Sequence, residues 1–173
     1  MFHNPEASTV YCKALPQSNF LEEGLKDYYG ISELRIQRTK LGKPYSDKLP
    51  GSFSLSHSGD LAALYINPFL PSAGCDLQVV KAGYSEEELS MAYFTKEERA
   101  LGLAFFHMWT LKEAFLKEQG LSVFDMGSVS VARRIGEFRS WTLFYGGRNY
   151  YLSLFPATDP LSLSFPCPLK RVL

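Results

Sequence analysis

The chain has 173 residues, 46% hydrophobic and 14% aromatic, enough apolar mass for one ordinary domain or two small halves sharing a core. Its 18 basic and 18 acidic side chains cancel, so no bulk field draws nucleic acid or an anionic membrane, and any anion site has to be local. No run reaches the roughly 18–20 apolar residues of a membrane span, the opening Met1-Phe2-His3-Asn4-Pro5-Glu6 lacks the basic and apolar regions of a leader, and Cys12, Cys75 and Cys167 are too scattered for a disulfide framework or a zinc site.

Those exclusions predict a cytoplasmic protein with reduced thiols, Cys75 packed inside. In chain order, Ser18 to Tyr29 reads as a short helix, with Phe20, Leu21, Leu25 and Tyr28 near helical spacing and Gly30 at the position after the end. A strand-like stretch, Glu33 to Gln37, and a turn, Lys40 to Pro44, follow. Ser52 to Ser56 alternates polar with apolar as a half-buried strand does, and Leu61 to Ile66 pairs back on it as a hairpin with His57 at the tip. Asn67 to Ala73, with Pro68 and Pro71, is the expected junction between halves.

Gly74 to Val80 reads as a strand. Ser85 with Glu88, and Thr95 with Glu98, both fit the capping-box spacing at helix starts. From Thr95 a helical pattern runs through Leu101, Phe105, Met108, Trp109 and Phe115 to Gly120, bent or interrupted near Gly102. Trp141 to Tyr145 and Tyr150 to Phe155 are strand patterns, and the tail from Pro156, with four prolines, is expected to be mostly irregular. No short-period repeat is visible.

Two places stand out chemically. Strand alternation puts Cys75, Leu77 and Val79 on one face and Asp76 and Gln78 on the other, two oxygen donors side by side. A carboxylate in so apolar a run has to be paired, bound to a cation such as magnesium, or exposed on an edge strand, and the residues alone leave these open. In Trp109 to Lys117, Glu113 and Lys117 stand four apart on one helix face, either a solvated ion pair or part of the same site. Trp109, Phe105 and Phe115 read as helix core, Glu98 as a capping acid with a possible site role, and His3 and His107 carry no pattern.

Five blocks recur in a fixed order: Gly42-Lys43-Pro44; Phe53-Ser54-Leu55-Ser56-His57-Ser58; Gly74-Cys75-Asp76-Leu77-Gln78; Phe94-Thr95-Lys96-Glu97-Glu98; and Trp109-Thr110-Leu111-Lys112-Glu113-Ala114-Phe115-Leu116-Lys117. This series resembles the 4′-phosphopantetheinyl transferases of the broad-specificity, surfactin-type branch, over about Leu41 to Leu121. The resemblance implies an α+β fold of two similar halves (a pseudo-dimer), about 1–68 and shortened, and about 72–165, with the active site in the cleft between them and the chain acting as a monomer.

It further implies transfer of phosphopantetheine from coenzyme A to a serine of an acyl or peptidyl carrier protein, releasing adenosine 3′,5′-bisphosphate. Asp76, Gln78 and Glu113 would hold magnesium, with manganese as the alternative. Glu113, or a water on the metal, would take the serine proton, and Lys117 would stabilise or protonate the leaving phosphate. Lys43, Ser56 and His57 would contact the nucleotide phosphates, with Lys112 left to structure or general electrostatics.

Two departures qualify the match. Gln78 stands where the family usually has glutamate, removing a negative charge from the metal site while keeping a carbonyl donor. The N-terminal basic segment that surfactin-type members turn toward coenzyme A is not recognisable, Lys13 and Lys26 being the nearest candidates. Both favour the alternative of a weakened relative that binds coenzyme A or a carrier protein without efficient transfer. A magnesium nuclease is disfavoured by the helical Glu-x-x-x-Lys spacing and the zero net charge.

Overall fold

A computed structural model describes residues 6–15, 19–165 and 169–172. In chain order the elements are β1 (Ser8–Ala14), α1 (Phe20–Tyr29), β2 (Gln37–Arg38), β3 (Pro44–Tyr45), β4 (Ser52–Ser58), β5 (Leu61–Asn67), β6 (Gly74–Val79), α2 (Glu86–Tyr93), α3 (Lys96–Arg99) and α4 (Phe105–Gln119). Two turns of 3-10 helix, Val123–Ser128 and Ala132–Glu137, then lead to β7 (Arg139–Tyr145), β8 (Arg148–Phe155), β9 (Leu161–Ser164) and β10 (Leu169–Arg171).

The strands form two four-stranded sheets, in the orders β4-β5-β1-β9 and β10-β7-β8-β6, plus the small β2-β3 ribbon. Alternation decides the layers. Val10, Cys12, Leu61, Ala63 and Tyr65 of the first sheet meet Cys75, Leu77, Val79, Leu152 and Leu154 of the second in one shared core. On the outer side of the first sheet, Ala62, Leu64 and Ile66 pack with Phe20, Leu25 and Tyr29 of α1. On the outer side of the second, Phe155 packs with the buried stripe of α4. The architecture is α+β, as the sequence implied.

Each sheet ends in an edge strand here, β4 and β6, and an edge strand carries a row of main-chain donors that cannot be left dry. Side chains satisfy those of β6. Ser54, Ser56 and Ser58 accept the N–H groups of Cys75, Leu77 and Val79 at 3.0, 3.1 and 3.0 Å, a constant offset of 21 residues. The serine face of β4 is therefore the buried one, while Leu55 is half-buried and His57 exposed. This inverts the usual reading of a polar-apolar alternation, because the hydroxyls replace the missing strand partner.

Most elements fall where expected, with informative exceptions. Helix α1 begins at Phe20 and closes on Gly30 in the left-handed conformation; the expected start at Ser18, like the assignments at His3 and Cys167, lies outside the described residues. Of the expected Glu33 to Gln37 strand only Gln37 is in one, as the first residue of β2. His57 lies within β4 opposite Ala62, and the hairpin turns at Gly59 and Asp60 instead. The long helical pattern is interrupted at Gly102, whose φ of +65° closes α3 off from α4. The tail is more ordered than its prolines suggested, since β9 runs parallel to β1 and β10 antiparallel to β7. Of the two capping boxes, that of Thr95 and Glu98 is complete, while at α2 the Ser85 hydroxyl accepts from Glu88 N. Among the described residues no helix is long and apolar enough to cross a membrane.

A second buried polar device anchors α4. Lys112, with no side-chain exposure, donates to Glu98 Oε2 at 2.7 Å and to the carbonyls of Tyr93 and Val129 at 2.9 and 2.8 Å. Glu98 also accepts from Thr95 N and Val131 N. All three ammonium hydrogens are thus placed, which fixes Lys112 as a structural residue and explains Glu98 fully. Just past Lys112, Gly74 permits close approach of the helix, for a Cβ there would stand 1.8 Å from Ala114 O.

Two stability measurements follow from these devices. Ser54→Ala or Ser58→Ala strands a buried N–H, and each is expected to cost about 1–3 kcal/mol in urea unfolding; an unchanged midpoint would mean that the hydroxyls are dispensable. Lys112→Met leaves Glu98 buried and unpaired at a cost of about 3–5 kcal/mol, and adding Glu98→Gln to that variant should recover part of the loss.

Candidate active site

Asp76 stands on the outer face of β6, under α4, and is buried. Its Oδ1 accepts from Lys117 Nζ at 2.6 Å and from Ser56 Oγ at 2.8 Å, while Lys117 Nζ also reaches Ser56 Oγ at 3.1 Å. Asp76 Oδ2 is buried and has no hydrogen-bond partner among the described residues. Of the alternatives open for Asp76, exposure is ruled out although β6 is an edge strand, and the lysine answer accounts for one of its oxygens.

The surrounding cavity, about 430 Å³, is lined by Ser56, His57, Asp76, Gln78, Glu113 and Lys117, with the half-buried Trp109 as its aromatic wall. Trp109 also packs on Phe105 and Tyr93, so the core role expected for it holds and the ring faces the cavity as well. Phe105 is buried and Phe115 packs against Phe155. Gln78 gives an amide hydrogen to Val79 O at 3.2 Å.

Electrostatics follow from the burial of two carboxylates and one ammonium. Burial, and then the charge of Asp76, push the Glu113 carboxyl above the usual carboxylate range against the pull of Lys117. For Lys117 burial acts downward, but Asp76, Cys75 and Glu113 outweigh it and the pKa is raised. Cys75 is itself pushed up to about 11 by burial, so its thiol is neutral at neutral pH and Asp76 is the charge that holds Lys117 protonated. Burial lowers the pKa of His107, which stacks on Tyr151 outside the cavity lining, its Nε2 unpartnered among the described residues.

Lys43 sits at the next chamber. Its Nζ donates to Ser72 Oγ at 3.5 Å, Ala73 O at 3.1 Å and Lys117 O at 2.6 Å, bracing the end of α4 against the start of β6. Burial pushes its pKa down, with Glu118 and then Cys75 opposing. The chamber, about 350 Å³, includes Arg38, Gly42, Lys43, His57 and Lys117 in its lining. Arg38 and His57 also border a third space of about 400 Å³ floored by Phe20, Leu21 and Ile36. Among the described residues, the exposed Arg38 guanidinium makes one bond, to Gly42 O at 2.8 Å, and keeps its other donors free. Sequence reasoning passed over Arg38: it pairs with Pro44 across the β2-β3 ribbon, and only the fold brings it to the chambers beside His57. Lys13 lies over the Phe20 ring and Lys26 in the last turn of α1, and neither lines these chambers.

Among the described residues, no three of His, Cys, Asp and Glu gather into a metal-binding group. The donors present are the carboxylates of Asp76 and Glu113 and the amide of Gln78. An orphaned buried Oδ2 beside a second carboxylate held above its usual pKa suits a hard divalent cation, with Lys117 supplying part of the positive charge in its place.

No protein-family model matches the chain. Curated relatives do. The chain is 36% identical over 99 residues to the 4′-phosphopantetheinyl transferase AcpT of Salmonella typhi, covering 51% of this chain and 50% of the relative. It is 31% identical over 101 residues to the 4′-phosphopantetheinyl transferase Sfp of Bacillus subtilis, covering 51% and 42%, and 28% identical over 123 residues to the 4′-phosphopantetheinyl transferase HetI of a Nostoc species, covering 62% and 52%. The chain spans about half the length of the curated relatives it matches.

Glu113 gives a direct check on these electrostatics. An acid whose pKa is raised by folding costs stability above that pKa, and the cost vanishes below the unfolded value. In chelator-containing buffer Glu113→Gln should therefore melt higher than the wild type at neutral pH, with the gain gone by about pH 4; a gain independent of pH would point to packing instead.

Proposed function

From similarity that supports the 4′-phosphopantetheinyl transferase superfamily, a surfactin-type relative included, we propose that this chain transfers phosphopantetheine from coenzyme A to a serine of an acyl or peptidyl carrier protein. The reading rests on one observation above others: Asp76, Glu113 and Lys117 converge in one cavity, between β4 of the first sheet and β6 and α4 of the second. On this reading the two sheets with their helices are the similar halves of a pseudo-dimer, and the cavity is the active-site cleft. All the residues involved belong to one chain, so no second copy is required.

In the proposed reaction the serine oxygen attacks the phosphorus that bears the pantetheine, and the bond from that phosphorus to the bridging oxygen breaks, releasing adenosine 3′,5′-bisphosphate. Glu113, with a raised pKa and partial burial, takes the serine proton. Lys117, kept charged by Asp76, stabilises the developing phosphate charge or donates its proton to it. Ser56 holds Lys117 and Asp76 in register. Magnesium, with manganese as the alternative, would be held by Asp76, Glu113 and Gln78 and would polarise the pyrophosphate oxygens. Arg38 and His57 take the nucleotide phosphates, with Lys43 adding charge from the wall behind them.

A second reading, binding without efficient transfer, is favoured by Gln78, since an amide in place of a carboxylate weakens a metal site, and by Lys13 and Lys26, which do not line the phosphate chambers. One experiment separates the two. An apo acyl carrier protein and an apo peptidyl carrier protein are each incubated with the protein, coenzyme A and magnesium, and their intact masses measured. The expected result is a gain of one phosphopantetheine, lost on chelation and lost with Asp76→Ala. Coenzyme A binding with no gain on either carrier would favour the second reading.

A further inference from the structure

The carboxylate of Glu113 is placed by its helix alone. Among the described residues no hydrogen bond holds it, and Asp76 and Lys117 are the charges that act on it. Its separation from Asp76 is therefore set by where the α4 backbone lies on the second sheet. Three side chains of α4 tie that backbone down: Lys112 to Glu98, Lys117 to Asp76, and Thr110, which stands one turn before Glu113 on the same face, to Ser153.

Thr110 is fully buried over a row of hydroxyls. Ser153 on β8 lies directly opposite Asp76 on β6, and Ser140 on β7 lies directly opposite Ser153, so these three side chains form one line on one face of the sheet. Both serines are fully buried. Thr110 Oγ1 gives its hydrogen to His107 O at 2.9 Å and stands 2.8 Å from Ser153 Oγ, which stands 2.9 Å from Ser140 Oγ. A hydroxyl has a single hydrogen. With that of Thr110 committed to His107 O, Ser153 donates to Thr110 and Ser140 donates to Ser153, and the chain of donors ends on the helix. Among the described residues the Ser153 to Thr110 bond is the one hydrogen bond between α4 and β8.

We propose that Thr110 is a positioning residue: through its bond to Ser153 it fixes the separation of Glu113 from Asp76. This rests on the transferase reading and adds a residue that the reading does not use. Ser153 is the strand neighbour of Asp76 and Thr110 the helix neighbour of Glu113, so one short bond links the two carboxylates through the fold. Apolar contacts beneath α4 are non-directional and tolerate a slide of the helix along the sheet, whereas an O–H···O bond weakens steeply outside a narrow range of length and angle.

The test measures transfer from coenzyme A to an apo carrier protein, and manganese binding by electron paramagnetic resonance, for the wild type and four variants. Thermal melts first establish which variants fold. Thr110→Val keeps the side-chain shape and cuts the bond from the helix side, and Ser153→Ala cuts it from the strand side, so either one suffices if the other does not fold. Thr110→Ser retains the bond. Ser140→Ala removes a buried hydroxyl bond of the same row while sparing this one, and reports what the row contributes to stability alone. Each cut should lower kcat about tenfold or more, leave KM for coenzyme A within about twofold, and weaken manganese binding about tenfold. Thr110→Ser and Ser140→Ala should keep wild-type values in both assays, even where their melting temperatures fall as far. Folded cut variants with wild-type kcat and manganese affinity, or a Ser140→Ala variant impaired as much as they are, would overturn the inference and leave the transferase reading standing. A wild type that binds manganese yet transfers to no carrier would overturn the transferase reading, and the manganese series would then decide for or against Thr110. A wild type that does neither would overturn both.

Discussion

Two strand edges that never exchange main-chain hydrogen bonds with each other set the geometry of this protein. Strands β4 and β6 run side by side, and three serine hydroxyls bridge them at a fixed offset. A main-chain pairing would have merged the two sheets into one continuous surface. Side-chain bridges keep them as separate sheets with a shared core and leave room above the seam. Ser56 takes part in both systems, accepting from Leu77 N and donating to Asp76 Oδ1, so the device that joins the sheets also positions the acid of the cavity.

The other half of the cavity is the face of α4, and its placement depends on contacts at the middle and at the C-terminal end of the helix. Lys112 and Glu98 lock the helix to the α2-α3 region and to Val131 in a buried network whose every strong group has a partner. Gly74 and Lys43 bring its C-terminal turns down onto β6. Between these anchors Glu113 and Lys117 face Asp76. The motif from Trp109 to Lys117 thus mixes two purposes on one helix, since its first lysine serves the fold and its second faces the cavity.

Much of this was legible in the sequence, for reasons that can be named. The apolar run around Asp76, the break at Gly102, the Thr95 cap and the positions of Glu113 and Lys117 are local properties of period and composition, and the structure keeps them. What escaped was non-local. The serines of β4 looked like the solvent side of a half-buried strand, because nothing within that segment shows that an unpaired edge lies beside it. His57 looked like a turn residue since the hairpin could have closed one step earlier. The order in the tail comes from β1 and β7, distant strands with open edges, and no periodicity within Pro156 to Lys170 reports on them. Arg38 escaped because a single exposed arginine has no pattern until the fold sets it beside His57.

The return of β9 to the first sheet has a consequence for synthesis. Strand β1 is bordered by β5 on one side and by β9 on the other, and β9 lies about 150 residues later in the chain. While a ribosome is still making the second sheet, the first already has an apolar, hydrogen-bonding edge with no partner. Such an edge is a template for pairing with another chain. The nascent protein is therefore most exposed to misassembly during the interval before Leu161 to Ser164 emerge, and a chaperone that shields a single strand edge for that interval would meet the need.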